Sequence, residues 1–179
     1  MTDHIAASDG VDDAVRQWRS ERPGLDVSAL EVFGRLHRAY LQYQSSLSNL
    51  FAEYDLNMAS FDVLAALRRS GAPYRMTSGQ LAKTTLVTTG GVTLRVDRLE
   101  KAGFVERKRD PEDRRVVYAC LTTSGMRLID EAAEAHFANE QRLLAGLPPD
   151  EQSQLADLLR KLSASMSDSA APDMEKDSA

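Results

Sequence analysis

The sequence predicts a mainly α-helical chain with one small β-hairpin, and three observations predict it. Long stretches on either side of the middle carry apolar residues at every third or fourth position, the period of amphipathic helices. After Gly103 the period changes from helical to alternating, over two short runs. Between those runs lies Asp110 to Arg115, reading DPEDRR, a loop rich in turn-formers.

The segment 77–122 carries the argument. Leu81 and Ala82 lie on the apolar side of a short helix beginning near Ser78, and a turn around residues 85–87 leads into a second helix, Thr88 to Ala102. Val92, Val96, Leu99 and Ala102 form one stripe that must face a core, with Thr88 or Thr89 as the expected N-cap and Gly103 as the stop. Gly90 and Gly91 fall in the expected first turn, where each costs roughly 1 kcal/mol relative to Ala. Thr93, Arg95, Asp97, Arg98 and Lys101 occupy the other faces. The two strands are expected over 104–109 and 116–121. Helix, turn, helix and Arg-tipped hairpin in this order outline a winged helix-turn-helix. In that plan the second helix offers its first residues to the major groove, and a wing Arg can reach the minor groove.

Composition sets the outer limits. A length of 179 residues with 42% hydrophobic residues suits one core plus helical extensions. No apolar run approaches the ~20 residues of a membrane span and the N-terminus lacks a secretory signal, so a soluble cytoplasmic chain is expected. Cys120 is the single cysteine, which excludes an internal disulfide or a Cys-based metal cluster. It reads as a small apolar residue of the second strand; a redox role needs an exposed, low-pKa thiolate. The net charge of −5 divides unevenly: residues 58–121 hold twelve Lys and Arg against seven Asp and Glu, net +5, leaving −10 for the rest. A local basic face, rather than the overall balance, governs phosphate affinity.

Leu81-Ala82, Val92, Asp97-Arg98-Leu99-Glu100, Gly103, the DPEDRR run, Leu121-Thr122 and Gly125 together resemble the MarR family of bacterial transcriptional regulators, in register over about residues 30–165. The resemblance implies a homodimeric repressor that binds a pseudo-palindromic double-stranded DNA operator; no cofactor or metal is expected. The implied DNA-binding residues are Thr88, Thr89, Gly90, Gly91, Thr93, Arg95, Arg98, Lys108, Arg109, Asp113, Arg114 and Arg115, with Asp113 orienting Arg115.

The flanks fit the same plan. Residues 1–10 are polar and expected to be loose; Val11, Ala14, Val15 and Trp18 share one face of a short helix ended by Pro23-Gly24, so 1–27 forms an N-terminal extension. The simplest role for Trp18 is to dock that helix. Residues 28–57 hold a long helix to Tyr54, too apolar to stand alone; residues 123–166 hold two more, Met126 to Ala145 and Pro149 to Met166. In the family such helices pack against a second subunit. The remainder, 167–179, is expected to be a disordered acidic tail.

Within the winged-helix segment 58–122, Met58 to Arg69 forms a helix with Ser60 as cap candidate. Asp62 and Arg69 share a face two turns apart, roughly 10 Å, a geometry that suits a ligand held between an acceptor and a cation. Here the chain resembles a urate-responsive MarR subgroup with an extra N-terminal helix, which implies an effector site of Trp18, Asp62, Arg69 and Arg107. An indole stacks on a planar purine, two guanidiniums neutralise a urate anion and a carboxylate accepts from a ring N–H. Against this, Arg68 and Arg69 also read as a solvated helix end, and Arg107 as a phosphate contact. A related subgroup responds to tricarboxylates, and a phenolic ligand or an effector-independent DNA-binding module are further alternatives. An enzyme is not expected: the chain lacks a Gly-rich phosphate loop, HExxH or a Ser/His/Asp grouping, and His4, His37 and His136 are scattered.

Overall fold

The computed structural model describes residues 8–85 and 91–169. The N-terminal residues 1–7, most of the expected tail, and Thr88, Thr89 and Gly90 lie outside them. The elements are α1 (Gly10–Glu21), α2 (Ser28–Ala52), α3 (Met58–Arg69), β1 (Arg75–Thr77), α4 (Ser78–Thr84), α5 (Val92–Lys101), β2 (Val105–Arg109), β3 (Val117–Leu121), α6 (Thr123–Leu143) and α7 (Pro149–Ser169). The chain divides into two units, Met1–His136 and Phe137–Ala179.

The first unit holds a continuous core. Leu47 and Phe51 of α2, Val63, Leu64 and Leu67 of α3, Leu81 of α4, Val96 of α5, Val105 of β2 and Ile129 of α6 are fully buried together. The helices start where polar caps satisfy their first N–H groups. Asn57, not Ser60, caps α3: its side-chain oxygen accepts from the Ser60 amide at 2.9 Å, and Ser60 is buried in the first turn. Thr77 and Gln80 form a reciprocal capping box on α4, and Asp9 and Asp12 form one on α1. Helix α2 stops at Ala52, two residues before Tyr54, and the chain turns through Asp55 at φ 53°.

Helix α1 docks on α2 through Val11 and Val15, both buried. A Cβ on Gly34 would lie 3.0 Å from the Val11 side chain, so the two helices meet where α2 has no side chain to interpose. Trp18 is 48% exposed and therefore does not dock the helix as expected. Arg35 fixes the arrangement from α2, its guanidinium donating to Asp9 and, at 2.6 Å, to Asp12.

The sheet is antiparallel in the order β1-β3-β2. Arg107 pairs with Ala119 across the β2–β3 ladder, and Arg75 pairs with Cys120 on the other edge of β3. The hairpin was expected; β1, only three residues long, was not. Cys120 is buried in β3, and that burial pushes its thiol pKa up, away from the thiolate a redox sensor needs. At the root of the hairpin a Cβ on Gly125 would fall 2.0 Å from the Phe104 carbonyl oxygen. Only glycine admits that approach. The Thr122 hydroxyl completes the joint, accepting from the Gly125 amide and donating to the Gly103 carbonyl.

The second unit contains the end of α6 and α7. Among its described residues through Asp168 none is buried. Helix α7 continues to Ser169, past the point where the tail was expected to begin. None of the described helices is long and apolar enough to cross a membrane.

Candidate functional site

Helix α5 begins later than its apolar stripe implies. Its N-cap is Gly91 at φ 94°, a left-handed conformation that favours glycine, and no side chain caps the first turn. The expected first-turn penalty at Gly91 therefore does not arise, because Gly91 stands before the helix. Val92, Val96 and Leu99 face the core. Thr93, Leu94, Arg98 and Lys101 are exposed, and at 100° per residue Leu94, Arg98 and Lys101 share the side opposite the core. Arg95 lies at the edge of that surface: it is half-buried, and its Nη1 is buried without a hydrogen-bond partner among the described residues.

The wing continues the basic surface. Lys108 and Arg109 are exposed on β2, with the Glu106 carboxylate 2.6 Å from Lys108 Nζ and raising its pKa. The tip is a sequence of carboxylate-capped turns. Asp110 accepts from the amides of Glu112 and Asp113. Asp113 in turn accepts from the Arg115 amide at 3.0 Å and from its Nε at 3.2 Å. Both carboxyl groups are held below the ordinary aspartate range, Asp110 by the backbone amides and Asp113 by the Arg115 side chain. Arg115 is thus aimed from its base while 91% of its side chain stays in solvent, and Arg114 beside it is also exposed.

The four residues implied as an effector site have different surroundings. Asp62 is 5% exposed within α3, whereas Arg69 stands exposed at the last turn of that helix. Arg68 is not a free helix end: its Nε donates to Asp130 at 2.7 Å and its guanidinium lies 5.3 Å from the Tyr74 ring centroid. Arg107 is clasped by Asp97 and Glu100 of α5, which raise its pKa, and its backbone N–H also donates to Glu100. It is neither a free cation nor a free phosphate contact. Trp18 borders a hollow of about 320 Å³ lined otherwise by Ala14, Gln17 and Glu21 of its own helix. Sequence reasoning overlooked Asp97 and Glu100 as the partners of Arg107. Their three-residue spacing on one side of α5, opposite a strand Arg, is a signal that could have found them.

A second cavity, of about 350 Å³, lies between α2 and the start of α3 and is lined by Tyr40, Tyr43, Gln44, Leu47, Ser48, Asn57, Met58 and Ala59. The buried His136 packs against the rings of Phe51 and Phe61, at centroid distances of 5.6 and 4.8 Å, while His37 is exposed on α2.

Comparison with known proteins assigns the architecture. Residues 54–116 match the MarR family model. The chain is 40% identical over 152 residues to the HTH-type transcriptional regulator PecS of Dickeya dadantii, a match covering 85% of this chain and 92% of PecS. The chain belongs to the MarR family. Among solved structures, BpsR of Bordetella bronchiseptica, whose DNA binding is regulated by 6-hydroxynicotinic acid, superposes with a TM-score of 0.64 at 30% identity, covering 74% of this chain and 98% of BpsR. A cysteine-to-serine mutant of Escherichia coli MarR in complex with operator DNA gives a TM-score of 0.64 at 28% identity, covering 81% of this chain and 96% of that one. These relatives are transcriptional regulators, and DNA-binding transcription regulation is the function the family membership supports.

Proposed function

We propose that this MarR-family protein is a homodimeric repressor that binds a pseudo-palindromic operator and is released from it by a small planar anion of the urate type. The observation that carries the DNA reading is the surface formed by Arg98 and Lys101 of α5 with Lys108, Arg109, Arg114 and Arg115 of the wing, all exposed. Cations on a helix and an adjoining hairpin suit major-groove readout by one and minor-groove or phosphate contact by the other. Thr88, Thr89 and Gly90, also proposed as DNA contacts, lie outside the described residues. Dimerisation is supported by the large apolar side chains exposed on α2 (Val32, Phe33, Leu36, Tyr40) and on α7 (Leu155, Leu158, Leu159). A two-fold protein can set its recognition helices one DNA turn apart, about 34 Å.

The clasp of Arg107 supports the release mechanism. An anion that draws Arg107 toward Asp62 and Arg69 must compete with Asp97 and Glu100, so ligand occupancy is felt directly at the recognition helix. Differential affinity for the DNA-incompetent state of about 1–3 kcal/mol gives a 5- to 150-fold loss of DNA affinity. Trp18, exposed on α1, is available to stack on the planar ligand. BpsR, regulated by a planar heteroaromatic acid, supports the same ligand class.

The test follows Trp18 fluorescence and electrophoretic mobility of the complex with the protein's own upstream DNA while urate, then citrate, is added. Quenching with DNA release is expected for urate, and Arg69→Ala and Arg107→Ala should lose the release. If both variants release DNA at the wild-type urate concentration, the four-residue site is wrong. A second reading has an observation of its own. The cavity lined by Tyr40, Tyr43 and Gln44 has the size and aromatic lining for a phenolic ligand, and salicylate-driven release insensitive to Arg69→Ala would favour it.

A further inference from the structure

We infer that Leu94 is a specificity-determining residue, reading the 5-methyl group of a thymine in the major groove. The inference rests on the proposed role of α5 as recognition helix, and names what its first exposed turn recognises. Leu94 is 55% exposed and stands outside the apolar stripe of Val92, Val96 and Leu99, so the fold gains little from its side chain. It lies two residues into α5, on the side opposite the core, with Arg98 one turn and Lys101 two turns further along the same side. A large aliphatic group followed by cations on an otherwise solvated helix face has a matching surface in duplex DNA. The phosphates suit Arg98 and Lys101, and thymine presents the apolar group of the major groove, its 5-methyl, to the exposed apolar residue nearest the helix start. Thr93, beside Leu94, offers a hydroxyl to a neighbouring base edge, whereas half-buried Arg95 is turned aside from that surface.

The experiment uses the full-length protein and a duplex selected by it from a random library. Each thymine of the selected site is replaced singly by deoxyuridine, which deletes only the methyl, and binding is followed by fluorescence anisotropy at fixed salt. Wild-type affinity should fall about fourfold at one thymine of each half-site, the effect of one buried methyl-sized group. Leu94→Ala, whose helical content is checked by circular dichroism, should bind the thymine and uridine duplexes equally, and 5-methylcytosine at that position should recover part of the wild-type affinity. Sequence-specific binding with no response to any thymine-to-uridine change overturns the role of Leu94 and leaves DNA recognition by α5 standing. So does an unchanged response in Leu94→Ala. If no sequence is selected at all, the recognition-helix reading falls and the inference falls with it.

Discussion

The winged-helix body and the C-terminal helix pair both carry regularly spaced apolar residues but use them differently. In the body, Phe51, Leu64, Leu67, Leu81 and Val96 are removed from water by neighbours in the same chain. In the second unit, Leu155, Leu158, Leu159 and Met166 repeat at helical spacing yet remain 41–54% exposed. Burying one such side chain is worth about 1.5–3 kcal/mol, so a helix that leaves four of them in water is incomplete by itself. The difference teaches that the two regions answer to different constraints. The core around α3 to β3 is closed within one chain, whereas α7, like the exposed face of α2, presents an apolar surface that the proposed second copy would cover.

The largest effect expected from this contrast is at Leu158. Leu158→Glu leaves the isolated chain almost untouched, because the side chain is 54% exposed, but buries a charge in each half of a dimer interface at several kcal/mol per ion. Light scattering after size exclusion should then show a monomer where the wild type shows a dimer. An unchanged mass would break the comparison, since a solvated surface tolerates such a change within about 0.5 kcal/mol. Next in size is Leu64→Ala in the body, where the side chain is fully buried. The lost burial and the cavity left behind should cost about 2–5 kcal/mol, read as a lower denaturation midpoint. In a monomerised Leu158→Glu background the same substitution should have a similar cost if the body is self-sufficient, and a very different one if its core depends on the dimer.

The same contrast explains what could be read from the sequence. The stripe of α5 was legible because Val92, Val96 and Leu99 bury one face at helical spacing, and the two C-terminal helices because their apolar residues recur at the same spacing. The wing strands were legible from their β-branched and apolar residues on either side of the DPEDRR turn, although their burial does not alternate strictly. Polar groups that act through one hydrogen bond were less legible. Asn57 rather than Ser60 caps α3 because the cap is chosen by which residue leaves the extended chain, not by which polar residue lies nearest the apolar run. β1 escaped notice because three residues carry no period, and its pairing with β3 is visible only once the chain has folded back. For the candidate site, residue types and spacing were legible, but burial was not. Asp62 is enclosed and Trp18 is exposed, the reverse of what a carboxylate and an indole favour by transfer energy. The clasp of Arg107 was hidden for a related reason: strand and helix approach through the turn at Gly103, and the three-residue spacing of Asp97 and Glu100 becomes a signal only once that turn sets α5 against β2.

The smallest expected effect concerns α1, which borders the body but contributes only Val11 and Val15 to its burial. Asp9→Ala removes the side chain that accepts from the amides of Val11 and Asp12, together with one carboxylate facing Arg35. Loss of such a cap costs about 1 kcal/mol, whereas the half-exposed ion pair adds little. Amide exchange within α1 should therefore rise roughly fivefold while the global midpoint stays in place. A pH titration separates the capping box from packing. The Asp12 carboxyl, which accepts from the Asp9 backbone and from Arg35, has its pKa lowered from the ordinary 3.8. Its folded pKa lies below the unfolded one, so its contribution is fully present well above pH 3.8 and is lost as the pH falls through the folded value. Wild-type protection of α1 should accordingly persist from neutral pH down to about that point and decline only in more acid solution. Protection that already declines near pH 6, or a global midpoint that moves with Asp9→Ala, would mean that α1 belongs to the cooperative core and that the body is larger than its buried residues indicate.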